Sequence, residues 1–213
     1  MIITVFGATG QVGKRIVRTA LAENYQIRAF GRNIESYIDV SLRNKNLIPI
    51  KGYVFDAAEV FDAVNDSDAV ISALGGSIDT SNKARSLGIK SIIGQMQRAG
   101  VKRIITVGSN AVLKDDTYGY VVNNPKYPAL YKEVGLEHLK AFEYLNASDL
   151  NWTVVCCPNI TDKDANGKYL TNEDYPPTPN LFTIKAGNIA DFVINELTRN
   201  RYIKKRVGIS DTN

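Results

Sequence analysis

Residues 2–13 read IITVFGATGQVG, an apolar strand that runs directly into a glycine-rich turn. Apolar residues recur at helical spacing just after it, at positions 16, 17, 20 and 21. Strand, glycine turn and helix in this order are the context in which such a pattern indicates dinucleotide binding. Gly7 allows the tight turn, Gly10 lets the backbone approach a pyrophosphate, and Gly13 lets the helix pack closely on the strand. The free amides of the helix start would then face the phosphates.

Length and charge set the broad class of the protein. The chain has 213 residues and a formal net charge of +4, which suits one α/β domain over residues 1–213 with a sizeable core. Its basic residues are scattered, and we interpret the one cluster, at 204–206, as a solvated turn. We therefore expect no nucleic-acid partner. No apolar window approaches the ~18 residues of a membrane span, so we expect no membrane partner either.

The N-terminus and the cysteines predict the compartment. No basic stretch precedes the first apolar segment, which argues against a signal peptide. Cys156 and Cys157 are neighbours in an apolar strand, so their side chains face opposite sides and do not favour a mutual disulfide or a shared metal. We expect reduced thiols in a cytoplasmic protein.

Strand and helix patterns alternate along almost the whole chain. We predict strands at 2–6, 26–30, 47–51, 68–74, 102–107, 152–157 and 207–209, and helices at 11–23, 56–64, 80–99, 130–147 and 186–199. Nearly continuous apolar strands separated by helices are typical of a parallel sheet covered on both faces. The prediction is an α/β fold, a Rossmann-type doubly wound parallel sheet in three layers with a small C-terminal region on the substrate side.

Two irregular stretches, at about 110–128 and 160–180, follow strands in the second half of this sheet. Ligands of such folds bind outside the carboxyl ends of the strands. We therefore expect these loops to form the walls of a site for a small-molecule substrate.

The residue after the second strand predicts the cofactor. An acidic side chain there would hold the ribose 2′-hydroxyl of NAD, but this chain has Arg32. A guanidinium suits the 2′-phosphate of NADP by charge and geometry, so NADP (NADPH) is favoured over NAD. The alternative is that Arg32 is only a solvated loop residue.

Five stretches together resemble a known family: residues 7–13 (GATGQVG), 30–33 (FGRN), 68–75 (DAVISALG), 99–109 (AGVKRIITVGS) and 182–192 (FTIKAGNIADF). The chain resembles the atypical short-chain dehydrogenases/reductases, in the NAD(P)H-binding branch with flavin reductase (biliverdin-IXβ reductase) and the NmrA-like proteins. The resemblance spans most of the chain. It is specific for fold and cofactor but weak for substrate.

The resemblance also implies roles for single residues. Along the adenosine and pyrophosphate it places Gly7, Thr9, Gly10, Gln11 and Val12, and at the 2′-phosphate Arg32. Beside the middle of the cofactor it places Ala73, Leu74 and Gly75, and near the nicotinamide Pro158 and Ser109. Lys132 matches a lysine that holds the ribose in catalytic relatives. One departure lies near the adenine, where Gly52 is followed by Tyr53 instead of aspartate.

The catalytic pair common in the superfamily, Tyr-x-x-x-Lys, is missing. No tyrosine of this chain has a lysine four residues later, and Tyr127 lies five before Lys132. Tyr127 is either a proton donor reaching in from the loop or a packed loop tyrosine. His138 is the only histidine, which excludes a histidine-rich metal site and favours a surface or helix-packing role, so we predict no metal.

The absence of the Tyr-x-x-x-Lys pair bears on three hypotheses about the function of the protein. Ketone reduction needs a positioned acid, whereas hydride transfer to an extended ring system mainly needs orientation. The leading hypothesis is an NADPH-dependent oxidoreductase acting on a flat conjugated acceptor, a flavin or quinone, with Ser109 and Lys132 at the transfer site. A second is a non-catalytic NADP(H)-binding redox sensor of the NmrA type. A third, a nucleotide-sugar epimerase or dehydratase, is disfavoured by the same absence. The sequence does not specify the oligomeric state.

Overall fold

A computed structural model describes residues 1–34, 44–76 and 83–212. Its helices are α1 (Gln11–Ala22), α2 (Ala57–Val64), α3 (Ser86–Ala99), α4 (Lys132–Asn146) and α5 (Ala186–Arg199). Its strands are β1 (Ile2–Phe6), β2 (Gln26–Gly31), β3 (Leu47–Lys51), β4 (Ala69–Ser72), β5 (Arg103–Ser109), β6 (Lys114–Asp115), β7 (Gly119–Tyr120), β8 (Asn151–Cys157), β9 (Asn159–Thr161), β10 (Tyr169–Glu173), β11 (Thr183–Lys185) and β12 (Lys205–Asp211).

Eight strands form one sheet in the order β10-β12-β8-β5-β4-β1-β2-β3. All neighbours are parallel except β10, which runs antiparallel to β12 at the edge. Strand β1 lies between β2 and β4, so the order of strands reverses beside it. This is the switch point at which doubly wound sheets open a crevice for ligands, and the predicted fold class is confirmed.

Each face of the sheet carries its own apolar core. Ile16 of α1 and Ile189 of α5 belong to the core on one face, whereas Ile92 of α3 and Leu145 of α4 belong to the core on the other. All four side chains are fully buried. The predicted three layers are therefore present.

Local signals in the sequence fix several helix ends. The carboxylate of Asp56 accepts hydrogen bonds from the amides of Ala58 and Glu59, which caps the start of α2. Helix α3 ends at Gly100, whose φ of 74° places it in the left-handed region that glycine adopts without strain. Residues 77–82, where the sequence predicts the start of this helix, lie outside the described residues.

Two predictions about the C-terminal third are wrong. The stretch 160–180 is not wholly irregular, because Tyr169–Glu173 form β10 against β12. The basic cluster as a whole is not a solvated turn either, because only Lys204 lies exposed in the turn before β12. Arg206 is buried in β12, with its guanidinium 3.0 Å from the Asp174 carboxylate and 2.8 Å from the Val112 carbonyl. Both features depend on pairing with distant residues, which a local pattern does not reveal.

No helix within the three described ranges is long and apolar enough to cross a membrane.

Candidate cofactor and substrate groove

Three neighbouring cavities follow one another along the carboxyl edge of the parallel strands. The first cavity, about 490 Å³, lies beyond β1, β2, β3 and β4. The middle cavity, about 280 Å³, lies between the start of α1 and helix α4 and shares Gly10 and residues 73–76 with the first. The outer cavity, about 600 Å³, lies beyond β5 and β8. Together they form one groove at the place where a doubly wound fold binds its ligands.

The glycine turn after β1 is shaped by close backbone contacts. Gly7 has a φ of +73°, and a Cβ on it would lie 2.4 Å from the Ala73 carbonyl oxygen. A Cβ on Gly13 would lie 2.1 Å from the Gly7 carbonyl oxygen. The Gly10 amide donates to that same carbonyl at 3.1 Å, which closes the turn. Larger residues at positions 7 and 13 would push the turn away from the sheet.

The start of α1 is open towards the middle cavity. Gly10 offers no side-chain cap and the first turn contains no acidic residue. The amides of the first helical residues have no acceptor within the helix, and Gly10, Gln11 and Val12 line the cavity. Free amides at the positive end of a helix dipole suit a pyrophosphate, so this part of the groove fits a dinucleotide.

The first cavity combines one cation with aromatic rings. Thr9 and Arg32 line it, and none of its described lining residues carries a carboxylate. Tyr53, which is 48% exposed, packs edge to face on Phe55 with ring centroids 5.1 Å apart. Its amide donates to a carboxylate oxygen of Glu59 at 2.6 Å, which fixes the loop. An aromatic ring therefore lies where the sequence departs from the family pattern.

Residues 73–75, for which the resemblance implies a place beside the middle of the cofactor, form the wall shared by the first and middle cavities. Arg85, which the sequence analysis did not single out, also lines the middle cavity. Its guanidinium donates to the Gly76 carbonyl at 2.7 Å. Burial lowers the pKa of Arg85, and the charge of Glu137 opposes that shift. The middle cavity thus has a cation close to the open helix start.

His138 lines the middle cavity as well. It keeps some accessible surface there, but the protein around its imidazole desolvates the charged form. Burial, with a smaller contribution from the positive charge of Arg85, lowers the pKa of His138 to about 3. The side chain is therefore an uncharged hydrogen-bonding group at neutral pH. It packs against the protein and also lines the groove.

Lys132 does not line any of the three cavities. Its ammonium donates to the carbonyl oxygen of Val122 instead. Helix α4 begins at Lys132 and turns another face to the groove, with Val134 in the outer cavity and His138 in the middle one. These two residues have the i, i+4 spacing of a pair on one helix face. That spacing in the sequence is the signal that could have revealed His138.

Ser109, Tyr127 and Pro158 meet in the outer cavity. The Ser109 hydroxyl accepts the amide of Ala111 at 3.2 Å, just past the end of β5. Burial raises the pKa of the Tyr127 hydroxyl, and a hydrogen bond with Ser109 partly opposes the shift. Tyr127 therefore stays protonated at neutral pH and can donate a hydrogen bond but does not act as a base.

The chain is similar in sequence to proteins of a known family. A family model described as NAD(P)H-binding matches residues 7–200. An uncharacterized chloroplastic protein of Arabidopsis thaliana is 28% identical over 161 residues, 72% of this chain and 57% of that protein. An NmrA-like family domain-containing oxidoreductase of Aspergillus japonicus is 31% identical over 109 residues, 49% of this chain and 33% of that protein. The chain thus spans little more than half, or less, of the curated relatives it matches.

A solved structure of a candidate NADH-flavin reductase from Streptococcus pneumoniae superposes with a TM-score of 0.84. The alignment covers 100% of both chains at 24% sequence identity. At this identity the similarity shows a shared fold.

Proposed function

Because the chain belongs to the NAD(P)H-binding family, we propose that it is an NADPH-dependent oxidoreductase that reduces a flat conjugated acceptor of the flavin or quinone type. When bound, NADPH supplies a hydride and leaves as NADP⁺, while the acceptor gains two electrons and takes its remaining proton from water. The protein's own contribution is to bind, orient and shield the two ring systems.

The main support for this proposal is the set of side chains that α4 presents to the groove. Val134 and His138 are the two residues of α4 that line the groove at i, i+4 spacing, the spacing at which a tyrosine and a lysine share one helix face. Valine has no proton to give, and the lowered pKa of His138 keeps its imidazole neutral. Neither residue supplies the acid that ketone reduction needs on this helix face. An extended ring system does not need that acid, because it spreads the charge that arrives.

The remaining residues have roles that follow from their positions. We assign the pyrophosphate to the open start of α1 and to Arg85, and the 2′-phosphate to Arg32. We assign a hydroxyl of the nicotinamide ribose to neutral His138, in place of Lys132. The Tyr127 hydroxyl and Ser109 would then hydrogen-bond to a carbonyl or ring nitrogen of the acceptor in the outer cavity.

The test is a titration of the pure protein with NADPH and with NADH, followed by addition of an acceptor. We expect tighter binding of NADPH, and loss of the nicotinamide absorbance with flavins, quinones or dichlorophenolindophenol. Arg32→Ala should weaken NADPH binding about tenfold or more and leave NADH binding unchanged. Arg201→Ala, which removes an exposed arginine outside the groove, is the matched control. A complete lack of turnover with all three acceptor classes would contradict the proposal.

One observation favours a second candidate, a redox sensor that binds NADP(H) and signals through a partner protein. Large apolar side chains are exposed around the outer cavity, including Leu130 at 67% and Phe182 at 64%. Exposed apolar groups of this kind suit a partner surface. Tight binding that discriminates NADPH from NADP⁺ without any turnover would support the sensor over the enzyme.

We also propose a cytoplasmic location. Its support is the pair of buried cysteines, Cys156 and Cys157, which are both free. Burial raises the pKa of each thiol above its ordinary range, which makes both unreactive. A small-molecule substrate remains the expected partner.

A further inference from the structure

Phe182 stands at the mouth of the outer cavity in an unusual backbone conformation. Its φ is +56°, in the left-handed region that bulky side chains disfavour. The residue is 64% exposed, so packing in the folded protein does not compensate for that conformation. Strained residues of this kind cluster at ligand sites, where the surrounding structure holds them in place.

Hydrogen bonds hold this segment on both sides. The Phe182 amide donates to the Asn180 side-chain oxygen at 2.8 Å, and its carbonyl accepts the Asn159 amide at 3.2 Å. The preceding amide, of Leu181, donates to the hydroxyl of Ser210 in β12 at 3.0 Å. Because the backbone is anchored to β9 and β12, residue 182 is held at the cavity before any ligand arrives.

The other residues that line the outer cavity indicate which kind of ligand could stack on Phe182. Tyr131, which is 42% exposed, lines the same cavity from the segment that precedes α4. A cavity of about 600 Å³ with an aromatic ring from each of two chain segments suits a flat fused-ring compound. Lys126 is the one charged residue among the described lining residues, and no carboxylate lines the cavity. The local charge therefore favours an anionic ligand.

We propose that Phe182 is the stacking face for the acceptor, and that the acceptor is a fused-ring compound with an anionic tail directed towards Lys126. This inference rests on the proposed reductase function and narrows its substrate class. It assigns Phe182 to selecting the ring and Lys126 to selecting the tail.

The test measures binding of riboflavin and of flavin mononucleotide by flavin fluorescence, with NADP⁺ present so that no reduction occurs. Both have the same ring, but only the second has a phosphate. Phe182→Leu should weaken binding of both about three- to tenfold. Lys126→Gln should weaken only the mononucleotide, by about threefold at low salt and not at high salt. Phe61→Leu, the same substitution on α2 outside the groove, should change neither affinity.

Phe182→Gly separates binding from folding. Glycine adopts a positive φ freely, so we expect an unchanged or higher melting temperature together with the same loss of flavin binding. A clear fall in melting temperature would show that the ring is a structural element and would overturn the inference.

The remaining outcomes distinguish the inference from the function it rests on. If the wild-type protein reduces flavins with NADPH but Phe182→Leu keeps its flavin affinity and KM, the inference is wrong and the function stands. If both flavins bind wild type equally and Lys126→Gln has no effect, the anionic tail is wrong. If the wild type neither binds nor reduces any acceptor, the proposed function itself fails.

Discussion

The desolvated imidazole of His138 should make the protein less stable in acid. Its pKa is about 3 in the folded protein against 6.5 in an unperturbed chain, first because of burial and then because of Arg85. Below pH 6.5 the unfolded chain takes up a proton that the folded protein does not. The free energy of unfolding therefore decreases as the pH falls from 6.5 towards 3. The two pKa values imply that the free energy of unfolding is about 2 kcal/mol lower at pH 5 than at pH 8. This is an upper limit, because His138 borders a cavity that admits water.

His138→Gln isolates this contribution, because glutamine keeps a polar side chain of similar size but does not titrate. The free energy of unfolding of both proteins is measured by urea unfolding at pH 8 and at pH 5. The fluorescence of the buried Trp152 monitors the transition. Other groups titrate in both proteins and cancel in the comparison. We expect wild type to lose up to about 2 kcal/mol more than His138→Gln between the two pH values. An equal loss in both proteins would refute the buried, neutral histidine.

Three further substitutions test the turn and the packing by urea unfolding and NADPH titration. Gly13→Ala should abolish NADPH binding and destabilise the fold, since its Cβ would lie 2.1 Å from the Gly7 carbonyl oxygen; normal binding would contradict the described turn. Gly94→Ala, in α3 with nothing within 4 Å of the new Cβ, should instead stabilise by up to about 1 kcal/mol and leave binding unchanged. Glu196→Leu should destabilise by about 3–5 kcal/mol, because it removes the carboxylate, 3.3 Å away, that neutralises the charge of buried Arg103. A loss as small as that of a surface substitution would show that Arg103 finds water.

The sequence alone determined the fold and the glycine turn between β1 and α1. The turn at residues 7–13 acts locally, because its three glycines are required by contacts within one strand, one turn and one helix. Helix ends such as Asp56 and Gly100 also depend only on neighbouring residues. Alternating strand and helix patterns then leave few topologies, since parallel connections are right-handed and sheets bury both faces.

Only the tertiary structure decided the residues around the middle and outer cavities. The direction in which α4 faces depends on how the helix packs on the sheet, and this places His138 in the groove while Lys132 binds the Val122 carbonyl. Strand β10 forms because β12 offers an edge to pair with. Phe182 is held at the mouth of the outer cavity by residues up to 28 positions away along the chain, such as Ser210. Each of these features is set by contacts between residues distant in sequence, and local periodicity does not encode such contacts.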